Sequence, residues 1–254
     1  MTIHGLFIAA VVTSSAISVG CVYPKDAKEK LASMKAEDYF DDSASRGLVA
    51  AVIQADDDMV ASAIRDGADV NVVGRDGMTP LMWAIIKDSP RGFGLLVKNG
   101  ADVSVAAFRK VEAGKSPSVA ELASGAENPS FLREMLANGA DPNQKCRAID
   151  GTLIFAAVWH RRTESLRLLV DAGADIEIRN KQRETPVQMA NSTGDYEIMW
   201  QLVEAGADID LRDAFDNRLV DQVMNPQRQI DPAQKPWYDK VIAELEKRGL
   251  TAKP

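Results

Sequence analysis

Imidazole and thiol chemistry rests on four residues of this chain: His4, His160, Cys21 and Cys146. A Ser-His or Cys-His nucleophile pair needs an imidazole base. Outside the leader, His160 is the single candidate. It sits in Trp159-His160-Arg161-Arg162, with no carboxylate in a recognisable motif beside it, and reads as a surface histidine. Cys21, Cys146 and His160 do not have the spacing of zinc ligands. No glycine-rich phosphate loop follows a strand. Five aspartates, Asp69, Asp102, Asp141, Asp175 and Asp208, could be mistaken for a carboxylate site. Each closes the same phrase, Gly-Ala-Asp, so each belongs to a structural turn. The reading is therefore no catalytic residue, no metal and no cofactor.

The elements that hold these residues are set by that phrase. Its glycines, Gly67, Gly100, Gly139, Gly173 and Gly206, are 33, 39, 34 and 33 residues apart. A period of this size marks stacked supersecondary units rather than one closed core. The clearest unit opens with Asp76-Gly77, a turn pair in which Gly supplies positive φ. Thr79 is placed to cap a helix and Pro80 to occupy its first position. Leu81, Ala84 and Ile85 share one face. Ser89-Pro90 repeats the cap-and-proline start, Leu95 and Leu96 face inward, and Gly100 ends the second helix. The spacing predicts six helix-turn-helix units over about 45–72, 73–105, 106–144, 145–178, 179–211 and 212–250. The third is longer, with its surplus inside 108–125, where Gly114 and Pro117 argue for an extended loop. The last carries a loop with Pro226, Pro232 and Pro236 before its second helix.

Thr79-Pro80-Leu81 through Gly100-Ala101-Asp102, and Thr185-Pro186-Val187 through Gly206-Ala207-Asp208, resemble the ankyrin repeat. The resemblance covers roughly 45–250. It implies an all-α ankyrin-repeat solenoid of about six units with degenerate terminal caps. It also implies that partner contacts come from the turn tips and the exposed ends of the first helices. Here those are Arg75, Asp76, Met78, Ile149, Gln182 and Arg183 at the tips. At the helix ends they are Ile86 with Lys87, Trp159 with His160, and Ser192 with Thr193. Trp159 is the expected anchor of an apolar strip with Met78, Ile86 and Ile149. Trp83 and Trp200 are read as packing. Cys146 is read as a partly buried loop residue.

The beginning of the chain points to an address. Residues 5–20 carry no charge and read as a signal peptide, too short for a comfortable membrane span. Ser18-Val19-Gly20-Cys21 resembles a bacterial lipobox, which implies lipid on Cys21; a plain secreted protein is the alternative. Val22 rather than Asp follows the cysteine, which by resemblance to enterobacterial sorting rules implies the outer membrane, facing the periplasm. Residues 21–44 then serve as anchor and tether, with Tyr39 and Phe40 expected to dock on the first repeat.

Net charge is −7 with 26% charged residues, which disfavours nucleic acid. The expectation is a protein partner, membrane attachment only through the lipid, and a monomer when free. Lys35-Ala36-Glu37-Asp38-Tyr39-Phe40 and the unit after it resemble periplasmic ankyrin lipoproteins encoded beside type VI secretion lipase effectors. That resemblance implies an immunity protein that occludes an incoming phospholipase. A general envelope scaffold is the alternative, and an enzyme with a concealed site a remote one. Replacing Cys21 with Ser is expected to move the protein from the membrane fraction to the soluble periplasm on cell fractionation. Unchanged fractionation would contradict lipid anchoring.

Overall fold

The computed structural model describes residues 33–106, 116–213 and 216–252. The leader, Cys21, the start of the tether and part of the third unit's surplus lie outside the described residues. Twelve α-helices form among the described residues, in six pairs. They are α1 (Ser43–Gln54), α2 (Asp57–Arg65), α3 (Pro80–Ile86), α4 (Pro90–Lys98), α5 (Val119–Gly125), α6 (Ser130–Ala137), α7 (Leu153–Trp159), α8 (Thr163–Asp171), α9 (Pro186–Thr193), α10 (Tyr196–Glu204), α11 (Leu219–Val223) and α12 (Lys235–Lys247). The fold is an all-α solenoid of helix pairs. Its residues form two compact units, one ending at Asp141 and one starting at Pro142.

Local chemistry sets the helix starts. Thr79 Oγ1 accepts the Met82 N–H at 3.2 Å, with Pro80 in the first turn where its missing N–H costs nothing. In the third repeat Ser118 and Glu121 cap each other's backbone N–H groups at 3.1 and 2.6 Å. In the fifth, Gln188 accepts the Thr185 N–H at 2.9 Å. The first repeat lacks Thr-Pro and uses aspartates instead. Asp42 caps α1 through Ser45 at 2.6 Å, and Asp56 caps α2 through Met59 at 2.9 Å. The Ser45 N–H holds the Asp42 carboxyl below its ordinary range.

Ser89 departs from expectation. Pro90 starts α4, but the Ser89 hydroxyl donates across to the Val52 carbonyl of α1 at 2.8 Å rather than capping its own helix. Pro236 departs too, since it sits in the first turn of α12 rather than in the preceding loop. Gly100 follows α4 with φ 88°, and the Ala101 N–H returns to Leu96 O at 3.0 Å, closing the helix in the expected left-handed cap.

The first helix of the fourth repeat is apolar all round, and the second helix on one face only. Every residue from Leu153 to Val158 in α7 is fully buried. In α8 only Ser165, Leu166 and Leu169 are buried. Within the first compact unit, Phe93 of α4 meets Phe131 of α6 edge-on at 5.6 Å. Within the second, Tyr196 of α10 meets Tyr238 of α12 edge-on at 5.0 Å. Arg228, in the long loop before α12, bonds Asn191 Oδ1 at 2.9 Å and lies 5.4 Å from the Tyr196 ring centre. That contact ties the irregular last repeat to the fifth.

A polar ladder sets the register between neighbouring repeats. Asn71 donates to Gly100 O at 3.2 Å and accepts the Asp102 N–H at 2.8 Å. Asn143 does the same to Gly173 O and Asp175 N–H, at 3.4 and 2.7 Å. Glu177 takes the Asp208 N–H at 2.7 Å. These aspartates in turn accept from the backbone two residues on, as Asp102 does from Ser104 at 2.8 Å. Asp69, Asp102, Asp175 and Asp208 are turn residues, as their periodicity implied.

Gly92 gives this packing a direct test. A β-carbon there would overlap the Val52 carbonyl oxygen, which belongs to rigid backbone. At Gly94 the obstacles are the movable ends of Glu134 and Asn138. Helix propensity alone favours alanine at both sites by about 1 kcal/mol. Gly92→Ala is expected to lose about 1–3 kcal/mol in chemical denaturation through overpacking, and Gly94→Ala much less. Equal effects would contradict the close approach of α1 and α4.

Candidate interaction surface

In the second repeat the Asp76-Gly77 tip is a two-residue hairpin turn. Asp76 and Gly77 have φ 56° and 81°, and the Met78 N–H bonds Arg75 O at 3.1 Å. Both central residues are left-handed, the geometry for which Asp-Gly is the favoured pair. This tip already has a neighbour. The Arg75 N–H bonds Tyr39 O at 2.8 Å, and the Arg75 guanidinium pairs with Asp41. The rings of Tyr39 and Phe40 are buried against Trp83, with centroids 5.9 and 6.0 Å away. Lys87 Nζ bonds Met34 O at 2.7 Å and lies 4.9 Å from the Trp83 ring centre. Burial lowers the Lys87 pKa, and burial raises that of Tyr39, with Asp76 and Asp38 adding to the rise.

Residues 34–41 therefore form a strap over the second repeat. This corrects the expected docking of Tyr39 and Phe40 on the first repeat. Phe40 O does accept from Arg46 of α1 at 3.1 Å, but the rings pack on Trp83, whose indole is buried as expected. The strap takes up much of the contact surface expected in this repeat. Arg75 and Lys87 are engaged by it, and Ile86 is half-buried. Met78 is 7% exposed, so it leaves the expected apolar strip. Ile53, fourteen residues before Gly67, holds the register that Ile86 and Trp159 hold before their own glycines, and it is 44% exposed. The same ruler would have found it in the sequence.

The second compact unit presents its tips differently. Trp159, the last residue of α7, is 50% exposed, and His160 follows as the helix C-cap. Ser192, at the same register in α9, is exposed. Ile149 is half-buried in the fourth repeat's loop, and Cys146 is half-buried beside it in sequence. Asp150 of that loop accepts the Lys181 N–H at 2.5 Å and faces its ammonium at 3.6 Å, which joins the fourth and fifth tips. Gln182 and Arg183 stand exposed beyond that link. Arg161 pairs with the buried Asp195 at 2.8 Å, fixing the α7–α8 corner against the start of α10. The expected residues gathered here, in one unit, are Ile149, Trp159, His160, Gln182 and Arg183.

Of the arginines around the expected Arg183, three were missed: Arg179, Arg212 and Arg218. Arg179, Arg183, Arg212 and Arg218 line a cleft between the fifth and sixth tips, with Asp210, Asp213 and Asp216. Arg179 and Arg212 are 33 residues apart, so the repeat period carried the signal.

Residues 120–213 match the family described as ankyrin repeats (3 copies), and residues 76–107 match the ankyrin repeat. Among similar proteins, an E3 ubiquitin-protein ligase KEG of Arabidopsis thaliana is 31% identical over 137 residues, 52% of this chain and 8% of that protein. Protein PhlB of Serratia liquefaciens is 30% identical over 113 residues, 44% of this chain and 47% of its own. Putative ankyrin repeat protein FPV031 of Fowlpox virus is 29% identical over 152 residues, 58% of this chain and 43% of its own. The chain thus spans less than half the length of each of these relatives.

Proposed function

We propose that this ankyrin-repeat protein is a non-catalytic, stoichiometric binding protein whose principal contact surface lies in residues 149–193. In this reading it is a periplasmic lipoprotein, anchored through Cys21, most simply at the outer membrane. Its partner is a type VI secretion phospholipase effector whose active-site mouth it occludes. The ankyrin scaffold supports the first part, because stacked repeats build extended surfaces for protein partners. Address and partner rest on the lipobox-like start and on the resemblance to immunity lipoproteins.

One observation carries the choice of surface: a tryptophan left half in water at the end of an otherwise fully buried helix. An indole offers more apolar area to a partner than most side chains, and tryptophan is enriched among residues that dominate interfaces. The corresponding tip of the second repeat is already in contact with the strap.

Trp159 is then the anchor of the interface. Trp159→Ala is expected to weaken binding of the neighbouring gene's effector product by about 2 kcal/mol or more, roughly thirtyfold in Kd. Protection of cells expressing that effector should fall in parallel. Unchanged affinity would refute this surface. Unchanged sensitivity to the effector after deletion of the gene, with sensitivity to envelope stress instead, would favour the scaffold role.

A further inference from the structure

The fifth and sixth tips are built to one plan with one charge reversed. In each, a hairpin closes by a backbone bond, Asn180 N–H to Glu184 O at 3.0 Å and Asp213 N–H to Asn217 O at 2.9 Å. In each, the fourth residue of the hairpin is left-handed, Arg183 at φ 63° and Asp216 at φ 67°. In each, an arginine just before the hairpin donates to that residue's carbonyl. Arg179 Nη1 reaches Arg183 O at 2.6 Å, and Arg212 Nη1 reaches Asp216 O at 2.8 Å.

The side chain at the left-handed position sets the charge of each tip. In the sixth tip it is Asp216, whose carboxylate pairs with Arg212 at 3.0 Å. In the fifth tip the equivalent residue is Arg183. The fifth tip therefore carries a second cation where the sixth carries an anion. Among the described residues no carboxylate pairs with Arg179 or Arg183. Both are exposed, on a cleft of about 680 Å³ that is also lined by Asp210 and Asp213. Arg218, farther along, is held by Thr251 O at 3.2 Å and faces Asp221 at 3.6 Å.

We propose that Arg179 and Arg183 together hold a carboxylate from an acidic peptide segment of a protein partner, seated between the fifth and sixth tips. Two guanidinium forks match carboxylate oxygens in charge and geometry. The cleft's own carboxylates decide for a peptide over a phosphate. A peptide offers backbone N–H groups that Asp210 can accept while its carboxylate meets the arginines, whereas a phosphate dianion brings no donor for that carboxylate. This deepens the protein-binding reading and rests on it, because it names the chemistry of the partner's contact segment.

The test uses the full-length protein and a fluorescein-labelled glycine-serine peptide with one central glutamate and an amidated C-terminus, read by fluorescence anisotropy at low salt. Saturable binding to the wild type is expected. Arg183→Gln should weaken it about tenfold, the scale of one charge-assisted contact. Arg183→Asp rebuilds the sixth tip's internal pair in the fifth and should weaken binding further. Asp tolerates the left-handed backbone, so that variant is expected to fold, which far-ultraviolet circular dichroism checks. Absence of wild-type binding, equal binding by both variants, or displacement of the peptide by an equal concentration of inorganic phosphate would each overturn the proposal. Peptide binding is measured without any effector, so its failure would leave the outcome for Trp159→Ala standing, and the reverse.

Discussion

At three steps of the stack, among the described residues, a side chain of one repeat grips the closing turn of the next, and the packing around those steps depends on that grip. Asn71 and Asn143 each use both halves of the amide, donating to a glycine carbonyl and accepting an aspartate N–H. Glu177 stands at the same step with only acceptor oxygens, and it takes only the N–H of Asp208. Each such bond contributes about 1 kcal/mol. Its larger effect is on register. A short helix pair cannot bury its apolar faces alone, so its neighbour must sit at the right offset before α1 can meet α4, or α7 can meet α9. The offset also brings backbones close, as at Gly92, where α4 leaves no room for a β-carbon beside Val52.

Fixed register leaves few positions free to vary, and variation there separates the tips. The helix-end column holds Ile53, Ile86, Trp159 and Ser192. The left-handed hairpin position holds Arg183 in one tip and Asp216 in the next. Neither change disturbs the backbone around it. The second repeat turns its tip to the molecule itself, because Arg75 and Lys87 hold the strap whose aromatic rings cover Trp83. The tips of the second compact unit are joined to one another through Asp150 and Lys181, while Trp159 and Arg183 remain directed to solvent.

Local spacing carried most of the architecture into the sequence. Thr79-Pro80, Gly100 and the five Gly-Ala-Asp turns act on residues within a turn of themselves, so their roles could be read in place. The roles that were missed belong to groups whose partners are distant in the chain. Ser89 looks like a cap until Val52 O is brought beside it. Met78 looks like a surface residue at a turn tip until its side chain is buried. Tyr39 and Phe40 read as a cap for the nearest repeat, yet their rings pack on Trp83, more than forty residues on. Periodicity places Arg179 and Arg212 at one register, but which neighbours satisfy which charges in the arginine cleft does not follow from it. The exposure of Trp159 was legible because its register matched residues as unlike as isoleucine and serine, which no core position would tolerate.

A partner that covers the tips in residues 149–193, while the second repeat's tip stays with the strap, leaves a distinct footprint on the backbone. Hydrogen–deuterium exchange of the protein, alone and saturated with the proposed effector, reads that footprint directly. New amide protection within 149–193 and unchanged exchange across 75–87 are expected. New protection across 75–87 with none in 149–193 would contradict the assignment of the contact surface.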